Sequence, residues 1–258
     1  MAPTPRTPLL VRSPSDVAPL GTLLGVWAHP DDETYLSGGL MALAAAAGSR
    51  VVCVTATRGE RGGPRGWPAD RTAAIRQTEM AAALAALGPI EHRWLGHADG
   101  GCREVPWSLG VSQVMAVIEE VQPRTIVTFG PEGMTGHDDH RAVSGWVTGA
   151  WQLKGCPAES QLLHSTTAPG WLEANRSVNR ALQVFGPEGP PTTATTDLAL
   201  VTELDEMTLD RKLVALRAHA SQTRSIEERV GTEALRSWWA TECFRPVAPL
   251  PTNQTTHP

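Results

Sequence analysis

A continuous apolar run, Leu23-Leu24-Gly25-Val26-Trp27-Ala28, gives way within one residue to His29-Pro30-Asp31-Asp32-Glu33. A stretch that is apolar at consecutive positions, not alternate ones, predicts a strand covered on both faces. Further strands are predicted at 51–56, 91–95 and 124–129, with a late one at 198–201 and a possible one near His164. Helical spacing fills the intervals. Residues 38–47 read as a small-residue helix closed by Gly48. Asp70 is an N-cap for a helix reaching Leu87, which Gly88-Pro89 stops. Ser108 caps a helix in which Val111, Val114, Met115, Ile118 and Val121 recur at i, i+3, i+4 and i+7 until Pro123. Helices are also predicted from 139 to about 153, at 204–220 and at 231–240.

Strand and helix alternate repeatedly, which predicts an α/β fold with a mostly parallel sheet and helices on both faces. The 258 residues suit one domain, placed at 21–245. Residues 1–20 are expected to be a flexible arm and 246–258 a disordered tail. The pattern weakens between 156 and 196, where a loop rich in Pro, Gly and Thr runs from 186 to 196.

Composition removes several classes of function. A net charge of −5 offers no basic field for nucleic acid. The longest low-charge stretch, 36–49, is too short and too rich in Ala and Gly to span a bilayer. The start of the chain has no apolar signal region, and the four cysteines, Cys53, Cys102, Cys156 and Cys243, show no paired spacing. Together these predict a cytoplasmic protein; a homo-oligomer is left open. Nine of the thirteen aromatic residues are Trp, a side chain that suits sugar faces but serves more often as core.

The chemistry is concentrated in two segments. His29-Pro30-Asp31-Asp32 follows the first strand, and Gly136-His137-Asp138-Asp139-His140 follows the strand at 124–129. Ligands in open α/β sheets collect beyond the carboxyl ends of the strands, where both segments fall. His29 and Asp32 are three apart in a turn, as are His137 and His140 at a helix start. A catalytic divalent cation needs three N or O ligands and an open position. His29, Asp32 and one histidine of the second segment supply them. Asp31 is placed to take a proton from water. The remaining histidine faces the developing oxyanion, with Asp139 holding its ring. No G-x-G-x-x-G follows the first strand, which counts against a dinucleotide-binding dehydrogenase. A phosphoesterase normally holds two metals, and only Asp138 is left over for a second.

These motifs resemble the zinc-dependent de-N-acetylases of the PIG-L or LmbE-like family, which includes mycothiol and bacillithiol deacetylases. The resemblance rests on Ala28-His29-Pro30-Asp31-Asp32-Glu33 with Gly38-Gly39, and on Gly136-His137-x-Asp139-His140-Arg141-Ala142-Val143. It extends through Thr55-Ala56-Thr57-Arg58-Gly59-Glu60, Arg76-Gln77-x-Glu79, Leu95-Gly96-x-x-Asp99-Gly100 and residues 215–222. It implies a Rossmann-like fold and one Zn²⁺ per chain held by His29, Asp32 and His140. Asp31 is then the general base, and His137 stabilises the oxyanion or protonates the amine, oriented by Asp139. Arg58, Glu60 and Asp99 are implied near the pocket, against sugar hydroxyls. The expected reaction removes acetyl from an N-acetylated amino sugar or glycoconjugate. The alternatives are an amidase acting on another N-acyl or thiol–sugar conjugate, and a catalytically silent sugar-binding domain. Two departures stand out: Asp138 replaces the usual Pro, and Thr135 stands where some members carry Tyr.

Overall fold

The computed structural model describes residues 7–153, 159–186 and 188–249. Eight strands form one sheet: β1 (Leu9–Val11), β2 (Leu23–Trp27), β3 (Val51–Thr57), β4 (Glu91–His97), β5 (Thr125–Phe129), β6 (Gln161–Thr166), β7 (Leu200–Glu203) and β8 (Thr241–Pro246). Nine helices are described: α1 (Asp32–Ala46), α2 (Ala69–Leu87), α3 (Trp107–Val121), α4 (Asp138–Leu153), α5 (Trp171–Ala174), α6 (Arg176–Leu182), α7 (Glu206–Ala218), α8 (Ala220–Val230) and α9 (Thr232–Trp238).

The strand order is β1-β7-β8-β6-β5-β2-β3-β4. All pairings are parallel except those of β8, which runs antiparallel between β6 and β7. β2, β3 and β5 are buried at every position, which is why they read as unbroken apolar runs. From β2 the chain steps outward to β3 and β4, then returns to β5 on the opposite side of β2. Right-handed crossovers therefore put α1 and α2 on one face and α3 and α4 on the other. The strand order reverses between β2 and β5, and both histidine segments leave the carboxyl ends of these two strands.

The N-terminal arm needs correction. Leu9–Val11 pairs in parallel with β7, and a 3₁₀ segment at Pro14–Leu20 buries Val17 and Leu20. An edge strand of three residues is too short for periodicity to reveal. At the other end the Val247 N–H donates to Leu162 O at 2.9 Å, so the chain stays docked just past 246. The remainder of the expected tail, 250–258, lies outside the described residues, as does Cys156. Two predicted caps also shift by two residues: Pro68 and Pro106 stand at the N-cap positions where Asp70 and Ser108 were expected.

A buried ion pair ties the late elements to the first helix. Lys212 Nζ lies 2.7 Å from Glu242 Oε1 and also donates to Tyr35 O and Trp239 O at 2.8 and 2.9 Å. Glu242 in turn accepts from the Gly39 and Leu40 N–H groups at 2.7 and 2.9 Å. Removing one partner of such a pair strands a buried charge. Lys212→Met is therefore expected to cost about 3–5 kcal/mol in urea unfolding. Adding Glu242→Gln should restore part of that loss, whereas two independent, additive effects would show that the pair is not coupled.

Candidate active site

The turn after β2 is built around Asp31, whose φ of 112° is unusual for a residue with a side chain. Asp and Asn are the non-glycine residues most often found at positive φ. Arg76, 4% exposed on α2, holds the turn by donating to Pro30 O at 2.5 Å and to Gly59 O at 2.9 Å, and lies 3.4 Å from Asp31 Oδ2. A Cβ on Gly59 would run into this guanidinium, which explains glycine at that place in the loop. Below the turn, Glu33 and His219 form a fully buried pair at 2.9 Å. Glu33 Oε2 also accepts the Asp31 N–H at 3.0 Å.

Three side chains that can hold a cation meet over this turn. His29 Nδ1 lies 3.1 Å from His140 Nε2 and 3.5 Å from Asp32 Oδ2; His140 Nε2 lies 3.4 Å from Asp32 Oδ1. His140 is fixed on its far side by Gly133 O, 2.9 Å from Nδ1, and stacks on Phe129 at 4.1 Å between ring centroids. Its Nε2 is thereby left for the site. On the other side of His29, Nε2 meets Asp99 Oδ1 at 3.1 Å and Asp139 Oδ2 at 3.2 Å. His29 thus stands between a donor cluster and two carboxylates.

The electrostatics favour a cation. Burial opposes ionisation of Asp32, yet His140 and His29 beside it hold its carboxyl well below the usual range. Burial keeps His140 below the ordinary histidine value although Asp32 opposes this, which favours the neutral imidazole that a metal ligand requires. Burial would also lower His29, but Asp139, Asp32 and Asp99 outweigh it and raise it well above normal. That is the signature of carboxylates converging on a place that wants positive charge. Asp31 differs. Burial, reinforced by Asp32 and Glu33, pushes its carboxyl up to about 6 against the pull of Arg76.

Asp139 meets His29 through its carboxylate and His137 through its backbone. Its carboxylate accepts the Gly100 and Cys102 N–H groups at 2.7 and 3.0 Å and faces His29, not the His137 ring. Burial works against it, but His29 and these N–H donors bring it down to about 2. Its backbone N–H, at 3.1 Å, donates to His137 Nδ1, which makes Nε2 the nitrogen that carries the proton in the neutral ring. Asp138 pairs with Arg103 at 3.1 Å and with Arg141 at 3.8 Å on the surface, so it adds no carboxylate to the site.

A cleft of about 410 Å³ lies over these groups, lined by His29, Asp31, Asp32, Asp99, His137 and His140, with Arg61, Arg76 and Gln222. Asp99 is in it as expected. Arg58 and Glu60 are not: they line a separate depression with Asp70 and His97. Glu60 acts one step back by accepting the Asp99 N–H at 2.9 Å. Arg61, from the same loop, lines the cleft instead. Its N–H donates to Asp99 Oδ2 at 2.8 Å, a loop geometry that no local pattern announces. Gln222 reaches the cleft from α8 and donates to Gly62 O at 2.8 Å.

Comparison with known proteins gives the family. Residues 24–151 match the model of the family described as "PIG-L: GlcNAc-PI de-N-acetylase". A 1D-myo-inositol 2-acetamido-2-deoxy-alpha-D-glucopyranoside deacetylase of Streptomyces griseus is 32% identical over 90% of this chain and 85% of its own length. The protein of that name from Thermobifida fusca is 34% identical over 78% and 82%. Among solved structures, N,N'-diacetylchitobiose deacetylase from Pyrococcus horikoshii superposes with a TM-score of 0.65 at 19% identity, covering 88% of this chain and 83% of that one. The A40926 pseudoaglycone deacetylase gives 0.66 at 19%, covering 89% and 98%. These two share the fold. Sequence identity over most of its length places the chain, as a member, in the PIG-L family of de-N-acetylases.

Proposed function

We propose that this chain is a zinc-dependent N-deacetylase whose substrate is a small N-acetylglucosamine glycoconjugate, with the inositol glycoside as the first candidate. The observation that carries this reading is the convergence of His29, Asp32 and His140: His29 Nδ1 lies 3.1 Å from His140 Nε2 and 3.5 Å from Asp32 Oδ2, and His140 Nε2 lies 3.4 Å from the other carboxylate oxygen, Asp32 Oδ1. Tetrahedral coordination at zinc–ligand distances near 2.0–2.2 Å spaces its donors about 3.3–3.6 Å apart. One Zn²⁺ per chain fits these donors, with His29 oriented from behind by Asp99 and Asp139.

When bound, the ion lowers the pKa of water to about 7 and polarises the amide carbonyl. The chain supplies the rest. Asp31, a carboxylate with a raised affinity for protons, accepts the proton from the attacking water. His137 directs its Nε2 proton toward the oxyanion and then toward the departing nitrogen. The amide C–N bond breaks, acetate leaves, and the free amine carries the proton delivered to it. Asp99, Arg61 and Gln222 line the polar cleft on the sugar side.

The test combines metal analysis with acetate release from N-acetylglucosamine, its inositol glycoside and N,N'-diacetylchitobiose, each with and without chelator. About one zinc per chain and chelator-sensitive acetate release are expected. Bound zinc with no acetate from any of the three would overturn the reading.

A further inference from the structure

A second chamber of about 200 Å³ opens from the same reacting groups. It shares Asp31, Asp32 and His140 with the polar cleft, and its far wall is built from Tyr35, Val184, Phe185, Ile226, Trp238 and Trp239. The aromatic part of the wall is preassembled. Tyr35 meets Trp238 edge-on at 5.7 Å, Trp238 meets Trp239 at 5.7 Å, and Trp171 backs both Trp239 and Phe185 at 4.7 and 5.9 Å. The Trp238 indole N–H is satisfied by Asn179 Oδ1 at 2.9 Å, so it asks nothing of a ligand.

The two chambers meet at the place where the carbonyl must sit. An amide carries its nitrogen substituent and its acyl substituent on opposite sides of the carbonyl carbon. A polyhydroxylated sugar belongs in the cleft with Arg61, Asp99 and Gln222, which leaves the acyl substituent for the apolar chamber. A methyl group would fill little of it, since a dry apolar cavity of about 150 Å³ already accommodates a benzene ring. We propose that this chamber is an acyl-chain subsite, and that the enzyme hydrolyses linear N-acyl amino sugars of up to about six acyl carbons in preference to acetyl. The inference rests on the deacetylase reading above and widens its acyl group from acetyl to longer linear chains.

Full burial of each added methylene is worth about fourfold. The measurement is amine release from the methyl glycosides of N-acetyl-, N-butanoyl- and N-hexanoylglucosamine, together with the octyl glycoside of N-acetylglucosamine. kcat/KM is expected to rise from acetyl to hexanoyl by at least about tenfold. Val184→Trp, which fills the chamber from its half-buried rim, should lower the hexanoyl-to-acetyl ratio. The wild-type series decides the question even if that variant fails to fold. Acetyl cleaved with hexanoyl untouched would overturn the subsite and leave the deacetylase standing. A gain from the octyl aglycone with indifference to acyl length would reassign the chamber to the aglycone and likewise overturn it. Amine from no substrate would remove both readings.

Discussion

Asp31→Asn is expected to lower kcat by about 10²–10⁴ while the protein keeps its fold and its zinc. The choice of Asn matters. The φ of 112° at this position is tolerated best by Asp, Asn and Gly, so Asn keeps the turn where Ala would strain it. The Asn side-chain carbonyl still offers an acceptor to Arg76, which remains anchored by Pro30 O and Gly59 O. What is lost is the proton acceptor. The check is a pair of measurements on one preparation, zinc content and turnover on the best substrate of the panel. Near-full turnover would mean that another group takes the proton. Loss of zinc together with turnover would mean that Asp31 belongs to the donor set.

His140→Ala is expected to abolish turnover by a different route, because in the proposed assignment it removes a donor instead of the base. Zinc content should fall to near zero. The variant also leaves Gly133 O without its imidazole partner and uncovers one face of Phe129, so some loss of stability accompanies it. Asp139→Asn provides the graded comparison. It weakens the carboxylate hold on His29 Nε2 without touching the proposed donor set, and groups of this kind typically change metal affinity by 10–100-fold. Competition with a chromogenic chelator separates the two cases. Zinc retained in full by His140→Ala would break the proposed donor set.

Much of this site was legible in the sequence, for a physical reason. Parallel strands buried on both faces must be apolar throughout, so 23–28 and 124–129 stood out, and the charged turns that follow them could only lie at the strand ends. What escaped the reading was fixed by contacts between distant parts of the chain. β8 is buried yet carries Glu242, because Lys212 from α7 neutralises it. Local periodicity cannot see that pairing. Arg61 and Arg58 sit three apart in one loop, and only the Arg61 N–H bond to Asp99 decides which of them faces the cleft. The placing of the Asp139 carboxylate has a similar cause. Its neighbour in sequence is the His137 segment, but its carboxylate crosses to His29 and to the loop after β4. The apolar chamber draws on α1, the loop after α6, α8 and α9, so no single stretch announces it.

The proposed donor set also has a mechanical meaning. His29 and His140 are 111 positions apart, one in the turn after β2 and the other at the start of α4, beyond the neighbouring strand β5. A cation bound between them would act as a removable cross-link across the centre of the sheet. Because the unfolded chain offers no such arrangement, free zinc at a thousand times its dissociation constant would add about 4 kcal/mol to the folding free energy. Catalytic competence and thermal endurance would then rise and fall with one variable, the free zinc concentration around the protein.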